Sequence, residues 1–585
     1  MNRFGPDFQK TFTTFRLWAP NARDVRLLLR EADPVAMTRD DEGFYAADVE
    51  VDPGQRYRFE VDGLVVPDPA SRAQDGDVDG WSVLTPPAPI SHARTPRPWH
   101  EAVIAEVHVG TATPEGTFAA LAKRLPHFVD AGYTVIELMP VAEFPGRWNW
   151  GYDGVLLFAP DEAYGTPDDL RRLVEAAHDA GLGIMLDVVY NHFGPSGNYL
   201  HHYAADFFTD KVQTPWGAAI DLSNPIVRRF FVENAVMWLR DYDFDGLRFD
   251  AVHAFPEDGG DTLLGEIVEA CRAVKNGAYL VLENDDNAAS WMIRDGQEPR
   301  AYTAQWNDDI HHALHVAATG QRSGYYEDYA DDPAGSLLRC LSEGFAYQGE
   351  PSGHRGGTPR GEVSADLPPE AFVAFAQNHD QIGNRPFGDR LAASLDQDRQ
   401  AALEAVVMLS PQIPMFFMGE EAGVTTPFPF FCDFSGDLGE AVRQGRQREF
   451  SGFFEDHEGS VDDLPDPLAE ETFRSAKLPW EEMAAEAGRA RIERFRSLAA
   501  LRQRLVWPLL HSGHTSTDAE RSGSAVVVIW AFHGGRLTLA ANLSGEQAEV
   551  TAPEGAPAHA TGSVEAGDGR VSLGPWAVAA WGPVR

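Results

Sequence analysis

Eight apolar runs spread through the middle of a 585-residue chain constrain this sequence more than any other feature. They are VIAEVHVG (103–110), YTVIELMPV (133–141), GLGIMLDVVYNH (181–192), DFDGLRFDAVH (243–253), AYLVLEND (278–285), AYTAQWND (301–308), AFVAFAQNHD (371–380) and PQIPMFFMGEE (411–421). Short apolar runs bounded by turn residues read as strands buried on both faces, as in parallel sheets. Amphipathic segments lie between most of them, such as TPDDLRRLVEAAHDA (166–180) and NPIVRRFFVENAVMWLRDY (224–242). Thr166 and Asn224 are predicted N-caps, and Pro167 and Pro225 fall in the first turn, where a missing N–H is tolerated. Eight strands with helical crossovers predict an α/β fold, a (β/α)8 barrel; an interrupted open α/β sheet is the structural alternative.

The flanks read differently. FRLWAP, VRLLL, GFYAADV, RYRFEV and GLVVP, within 10–66, are short strands at close spacing and predict an N-terminal β-sandwich. A stretch rich in Pro, Ser and Asp (67–99) reads as a linker without regular structure. SAVVVIWAF, RLTLAANL, EVTAP and WAVAAWG predict a C-terminal antiparallel β domain. The expected division is 1–92, 93–505 and 506–585.

Composition excludes several function classes. Net charge is 48 − 89 = −41, which repels phosphate backbones and anionic membranes, so neither is an expected partner. Cys271, Cys340 and Cys432 are too few and too scattered for a disulfide framework or a CxxC zinc site. No apolar leader follows the basic start, and no run reaches the roughly 18 residues of a membrane span, so a cytoplasmic location is expected. No glycine-rich phosphate motif follows a strand, and no nucleotide cofactor is indicated. The pairs His201–His202 and His311–His312 diverge on a helix, and one loop bearing Asp187, Asn191 and His192 supplies few ligands, so no metal is expected.

The chemistry gathers where the strands end. A barrel of this type keeps its site at the C-terminal strand ends. Asp187, Asn191 and His192 end the third strand, and Arg248, Asp250 and His253 the fourth. Glu283 ends the fifth, and Asn378, His379 and Asp380 the seventh. Carboxylates that end apolar strands sit where isolated charge is costly, so their convergence on one mouth points to function. Paired carboxylates without a cofactor suit glycoside chemistry.

Four of these segments, DVVYNH (187–192), GLRFDAVH (246–253), LEND (282–285) and FAQNHD (375–380), resemble in order and spacing the signature regions of the α-amylase superfamily of retaining glycosidases (glycoside hydrolase family 13). The leading sandwich resembles the starch-binding-type module ahead of branching and debranching enzymes. The resemblance implies that Asp250 is the nucleophile, Glu283 the general acid and then base, and Asp380 a stabiliser of the oxocarbenium-like state. It implies sugar contacts for Tyr152, His192, His253 and His379, and for Arg248 the task of keeping Asp250 ionised. Asn378 and Asp187 belong to the same candidate set, although Asp187 could only hold Arg248 and Asn191 in place. His253 could be a core histidine, and Tyr152 and Trp150 could only pack the rim. Trp148, Trp216 and Trp306 are candidate stacking platforms.

YTAQWNDDIHHALHVAATGQRSGYYEDY (302–329), FAQNHDQIGNRPFGDR (375–390) and MGEE…PFPFFCDF (418–434) resemble the malto-oligosyltrehalose trehalohydrolases. That implies hydrolysis of the α-1,4 bond next to the terminal trehalose of malto-oligosyl trehalose, and a synthase of that substrate as pathway partner, without a physical complex. The leaving-side candidates are Asp285, Asp286, Trp306, Asn307, Asp308 and Phe387. Glycogen branching enzymes are the alternative, sharing ELMPVAEFPG and GYDG…YGTPDDL, though QNHDQIGN departs from their pattern. A non-catalytic glucan-binding protein on the same barrel is a third reading, opposed by the presence of all three acids.

Overall fold

The computed structural model describes residues 3–87, 94–214, 217–451, 460–567 and 569–583. Trp216 lies outside the described residues.

Each of the eight apolar runs holds one strand of a closed barrel: β1 (Ile104–Val107), β2 (Val135–Leu138), β3 (Gly183–Val188), β4 (Gly246–Phe249), β5 (Tyr279–Leu282), β6 (Ala304–Trp306), β7 (Phe372–Ala374) and β8 (Ile413–Phe417). Neighbours pair in parallel around the ring, and β8 returns to β1 through Ile104↔Met415. Ile104, Val135, Met185, Tyr279, Val281, Ala304, Trp306, Val373, Ile413 and Met415 fill the interior as one apolar cluster. The barrel is therefore packed rather than hollow, and its chemistry is confined to the mouth.

The crossover helices form for the reasons their sequences state. Pro167–Asp179 starts from a capping box, in which Thr166 and Asp169 satisfy each other's backbone N–H groups. It buries Leu170, Leu173, Val174 and Ala177, the spacing of one helical face. Pro225–Asp241 starts at Asn224, whose side chain accepts from the Ile226 N–H.

The N-terminal region is a sandwich of a four-stranded and a six-stranded sheet, joined across its core by Phe15 against Tyr57 at 4.8 Å. The stretch expected as a structureless linker is partly strand. Gln74–Asp75 and Trp81–Val83 extend the edge of the six-stranded sheet, Ser82 opposite Tyr57. Their ladder bonds satisfy backbone groups without an apolar pattern, which is why the sequence conceals them. The module docks on the barrel through Phe4 against Phe230 (5.1 Å) and the Arg3 N–H on Glu233 (2.9 Å). Behind the barrel, a five-stranded and a three-stranded antiparallel sheet form the C-terminal domain, tied back by Trp530 Nε1–H on the Leu341 carbonyl (3.0 Å).

Candidate active site

Strand parity places the central residues. Successive side chains alternate faces, so Arg248, two residues before Asp250, points into the mouth with it. Val281 points inward, and Glu283 stands two residues beyond it. Arg248 is 2% exposed and its guanidinium divides among three carboxylates. Nη1 donates to Asp187 Oδ2 (2.5 Å) and Asp250 Oδ1 (3.0 Å), and Nη2 to Glu283 Oε2 (2.5 Å). Its central carbon lies 3.9 Å from the centre of the Trp306 ring, a cation–π seat from below. Despite burial, which works against its charge, the ring of carboxylates holds the guanidinium firmly protonated.

The carboxylates are individually seated. Asp250 Oδ2 accepts from Asn191 Nδ2 (2.7 Å). The next residue, Ala251, is held in the left-handed region (φ 42°), a strained conformation for a side chain. That turn aims the Ala251 N–H at Glu283 Oε2 (2.9 Å). Asp380 Oδ1 accepts from Asn384 Nδ2 (2.7 Å), and its N–H is capped by Asn378 Oδ1 (2.9 Å). Burial pushes all three acids above the ordinary carboxylate range; Arg248 opposes this at each of them, and Glu283 is raised further by Asp250.

The remaining candidates surround this group. Gly151 takes φ 107°, and a Cβ there would lie 2.1 Å from the Pro140 carbonyl, so only glycine can turn the chain that delivers Tyr152. Tyr152 O–H donates to Asp187 Oδ2 (2.7 Å), and its ring stacks on His379 at 5.1 Å and 20°. His192 lies against the Tyr152 carbonyl (Nε2, 2.9 Å) and the Asn191 side chain; burial pulls it down to about 4. His379 is held by Glu106 of β1 through both its N–H (3.0 Å) and its ring Nδ1; burial opposes its charge, but Glu106 keeps it above the usual histidine range. Asp308, after β6, is driven well up by burial and by the negative charge of Glu283, Asp285 and Asp380. Asp286 and His253 are exposed beyond Glu283, and Phe387 is half-buried after the helix that carries Asp380.

Four of the candidates are engaged within the protein. Trp306 lies within β6 at 2% exposure beneath Arg248, not in a strand-end loop, so its ring is closed to a leaving-side sugar. Its parity with Ala304 turns it inward. Asp187 holds Arg248 and Tyr152, while Asn191 serves Asp250. Asn378 caps the helix His379–Gly383 at 1% exposure. Trp148 stacks on Phe473. Sequence reasoning missed Glu106, although it too is a carboxylate inside an apolar run. It also missed Arg355 and Arg360, which grip Asp285 and hold its carboxyl below the usual range against burial.

A closed (β/α)8 barrel between two β domains, with three carboxylates and a shared arginine at its C-terminal mouth, defines a glycoside hydrolase of the α-amylase type. The comparisons agree: the alpha amylase catalytic domain model matches residues 70–216, carbohydrate-binding module 48 (isoamylase N-terminal domain) matches 3–82, and a domain of unknown function matches 513–580. Malto-oligosyltrehalose trehalohydrolase of Deinococcus radiodurans is 40% identical over 86% of this chain and 82% of its own. That of Arthrobacter ramosus is 36% identical over 96% and 98%. A crystal structure of a candidate alpha amylase from Salmonella typhimurium superposes with a TM-score of 0.92 at 42% identity, covering 99% of both chains. The chain belongs to the malto-oligosyltrehalose trehalohydrolase family. A Streptomyces coelicolor 1,4-alpha-glucan branching enzyme matches only 41% of this chain and 36% of its own, at 35% identity.

Proposed function

We propose that the site hydrolyses the α-1,4 bond joining a malto-oligosaccharide to a terminal trehalose, with retention at the cleaved carbon. In the first step an Asp250 carboxylate oxygen attacks the anomeric carbon. The bond to the leaving oxygen breaks, and Glu283 passes its proton to that oxygen, releasing trehalose. In the second step the ionised Glu283 takes a proton from water. The water oxygen attacks the same carbon, and the glycosyl–Asp250 ester is cleaved to maltodextrin and free carboxylate. Asp380 and His379 bind hydroxyls of the reacting glucose, and Tyr152, stacked on His379, forms its floor. His192 contacts the same sugar, and His253 the first leaving-side sugar. Asp286, Asp308 and Phe387 are assigned to the trehalose unit.

The observation that carries this reading is the guanidinium of Arg248 bound at once to Asp250 and Glu283 on neighbouring strands. It keeps the two carboxyls side by side, as a retaining mechanism needs. Water in place of a sugar hydroxyl as acceptor separates this reaction from branching. The test is product analysis of maltotetraosyl trehalose and of amylose, without added metal. Free trehalose and maltotetraose with slow attack on amylose is the expected outcome; new α-1,6 branches and no trehalose would refute it.

The division at residues 92 and 505 is part of this proposal, with the leading module covering the barrel. A synthase that builds the malto-oligosyl trehalose is the implied pathway partner. The cytoplasm is the proposed location; Cys271, Cys340 and Cys432 are buried free thiols, and no described helix is long and apolar enough to cross a membrane.

A further inference from the structure

The loop after Glu283 is gripped from behind by a hairpin with no part in the chemistry above. Its strands, Glu350–Pro351 and Pro359–Arg360, are inserted between β6 and β7. Arg360 is 5% exposed and spends every guanidinium nitrogen on the grip. Nε donates to the Asp285 carbonyl (2.8 Å), Nη2 to Asp285 Oδ1 (2.9 Å) and Nη1 to the Tyr329 hydroxyl (2.7 Å), and Nη1 forms an ion pair with Asp309 Oδ1 at 2.8 Å. Arg355 adds bonds to the Asp285 carbonyl (2.8 Å) and to Asp286 Oδ1 (2.8 Å).

Asp309 anchors the grip. It is fully buried in the first turn of the helix after β6. Besides its ion pair with Arg360, its carboxylate accepts from Tyr329 O–H (2.5 Å), Asn287 Nδ2 (3.0 Å), and the N–H groups of Ala346 (2.8 Å) and Tyr347 (3.0 Å). So many donors on one carboxylate fix it as a rigid post. Asn287 belongs to the gripped loop, which is therefore held at Asp285, Asp286 and Asn287 together.

The front of the loop shows what the grip serves. The Asp285 N–H donates to His253 Nδ1 (3.2 Å), so a neutral His253 carries its hydrogen on Nε2, the nitrogen left for a sugar. The side chains of Asp285 and Asp286 stay 47% and 59% exposed beside it. Glu283 lies two residues upstream, at the end of β5.

We infer that Arg360, seated on Asp309, is a positioning residue for the leaving side. It fixes the loop that carries the proton donor and presents His253 Nε2–H and the acidic side chains to the departing trehalose. Taking Glu283 as the general acid, this inference rests on the function proposed above. It extends that function by locating the selectivity device outside the substrate's reach.

The test compares Arg360→Lys, which keeps the charge and loses the fork, with Asp309→Asn, which keeps the shape and loses the charge. Each is assayed by kcat/KM on maltotetraosyl trehalose and on α-maltosyl fluoride. Fluoride departs without a proton donor and leaves no sugar beyond the cleavage point, and kcat/KM ends at the first irreversible step. The expected result is a fall of about 100-fold on the trehalose substrate, the usual cost of an ångström-scale misplacement, with the fluoride value retained. Equal losses on both substrates, or none on either, would overturn the inference. If one variant does not fold, as judged by its melting curve, the other decides. Wild-type enzyme that released no trehalose would instead sink the functional reading, whatever the variants did.

Discussion

Replacing Arg248 by glutamine removes the one positive charge shared by Asp187, Asp250 and Glu283. Its guanidinium nitrogens lie 2.5–3.0 Å from their oxygens, so charge centres are about 4 Å apart. At an effective dielectric of 20 that attraction is about 4 kcal/mol per pair. At 1.36 kcal/mol per unit it is worth about three units of carboxyl pKa as a ceiling. Water entering the vacated space screens part of it, leaving a rise of about one unit or more as the expected shift. The sign is fixed for both groups. Asp250 must be ionised to attack, so its rise moves the acid limb of the kcat/KM profile to higher pH. Glu283 must be protonated to donate, so its rise moves the alkaline limb the same way. The whole bell therefore slides alkaline, and its height falls by about two to three orders of magnitude as a preorganised donor is lost. The assay is kcat/KM on maltotetraosyl trehalose across pH. Arg248→Lys, which keeps the charge but not the fork, guards against loss of fold; it should lose height with a much smaller slide. Limbs that stay in place or move acidic in Arg248→Gln, with activity reduced, would refute the electrostatic argument and leave the arginine a steric role only.

Three further outcomes follow from the same structure. Asp250→Asn should abolish turnover while maltotetraose binding persists by calorimetry; retained turnover would remove Asp250 from the nucleophile's place. Gly383→Ala places a Cβ 1.9 Å from the Trp150 ring, itself packed on Phe428 and His379, so ring and the Asp380 helix must part. Activity should drop by about one to two orders and stability by about 1–3 kcal/mol, with an unchanged kcat/KM counting against the packing argument. Thr166→Ala breaks a capping box and should cost about 1 kcal/mol in denaturant unfolding with kinetics unaltered.

The barrel was readable because a strand buried on both faces is largely apolar, and each of the eight strands of 3–6 residues sits in such a run. The Arg248–Asp250 pair was readable because period two is a property of the backbone, whatever the partner. The same rule applied to Ala304 and Trp306 would have turned Trp306 indoors; treating it as a loop residue overlooked its parity. Glu106 and His379 lie 273 residues apart, and only barrel closure through β8 brings β1 within reach of the residues that follow β7. The Asp309–Arg360–Asp285 grip lies deeper still. Its hairpin has two-residue strands of Glu, Pro and Arg and no apolar period, so nothing local marks it. Polar segments whose order comes from buried charge remain hidden from a reading based on hydrophobic period.

The acid and the nucleophile are distinguished by their neighbours' bonds rather than by burial, which raises both. With Asp187, Asp250 and Glu283 all ionised, the single charge of Arg248 would leave a net −2 in a confined space, and like charges at that distance favour taking up a proton. Asp250 accepts from Arg248 on one oxygen and Asn191 on the other, so both its oxygens act as acceptors. Asp187 takes Arg248 and Tyr152 on Oδ2, and its Oδ1 has no partner among the described residues to which a proton could be donated. Glu283 receives Arg248 and the Ala251 N–H on Oε2 alone. Neither of these donors reaches its other oxygen, and the negative charge of Asp250 raises Glu283 further. The proton therefore rests on Glu283, and a sugar oxygen arriving between the two carboxyls meets a donor already charged for transfer and a nucleophile already ionised.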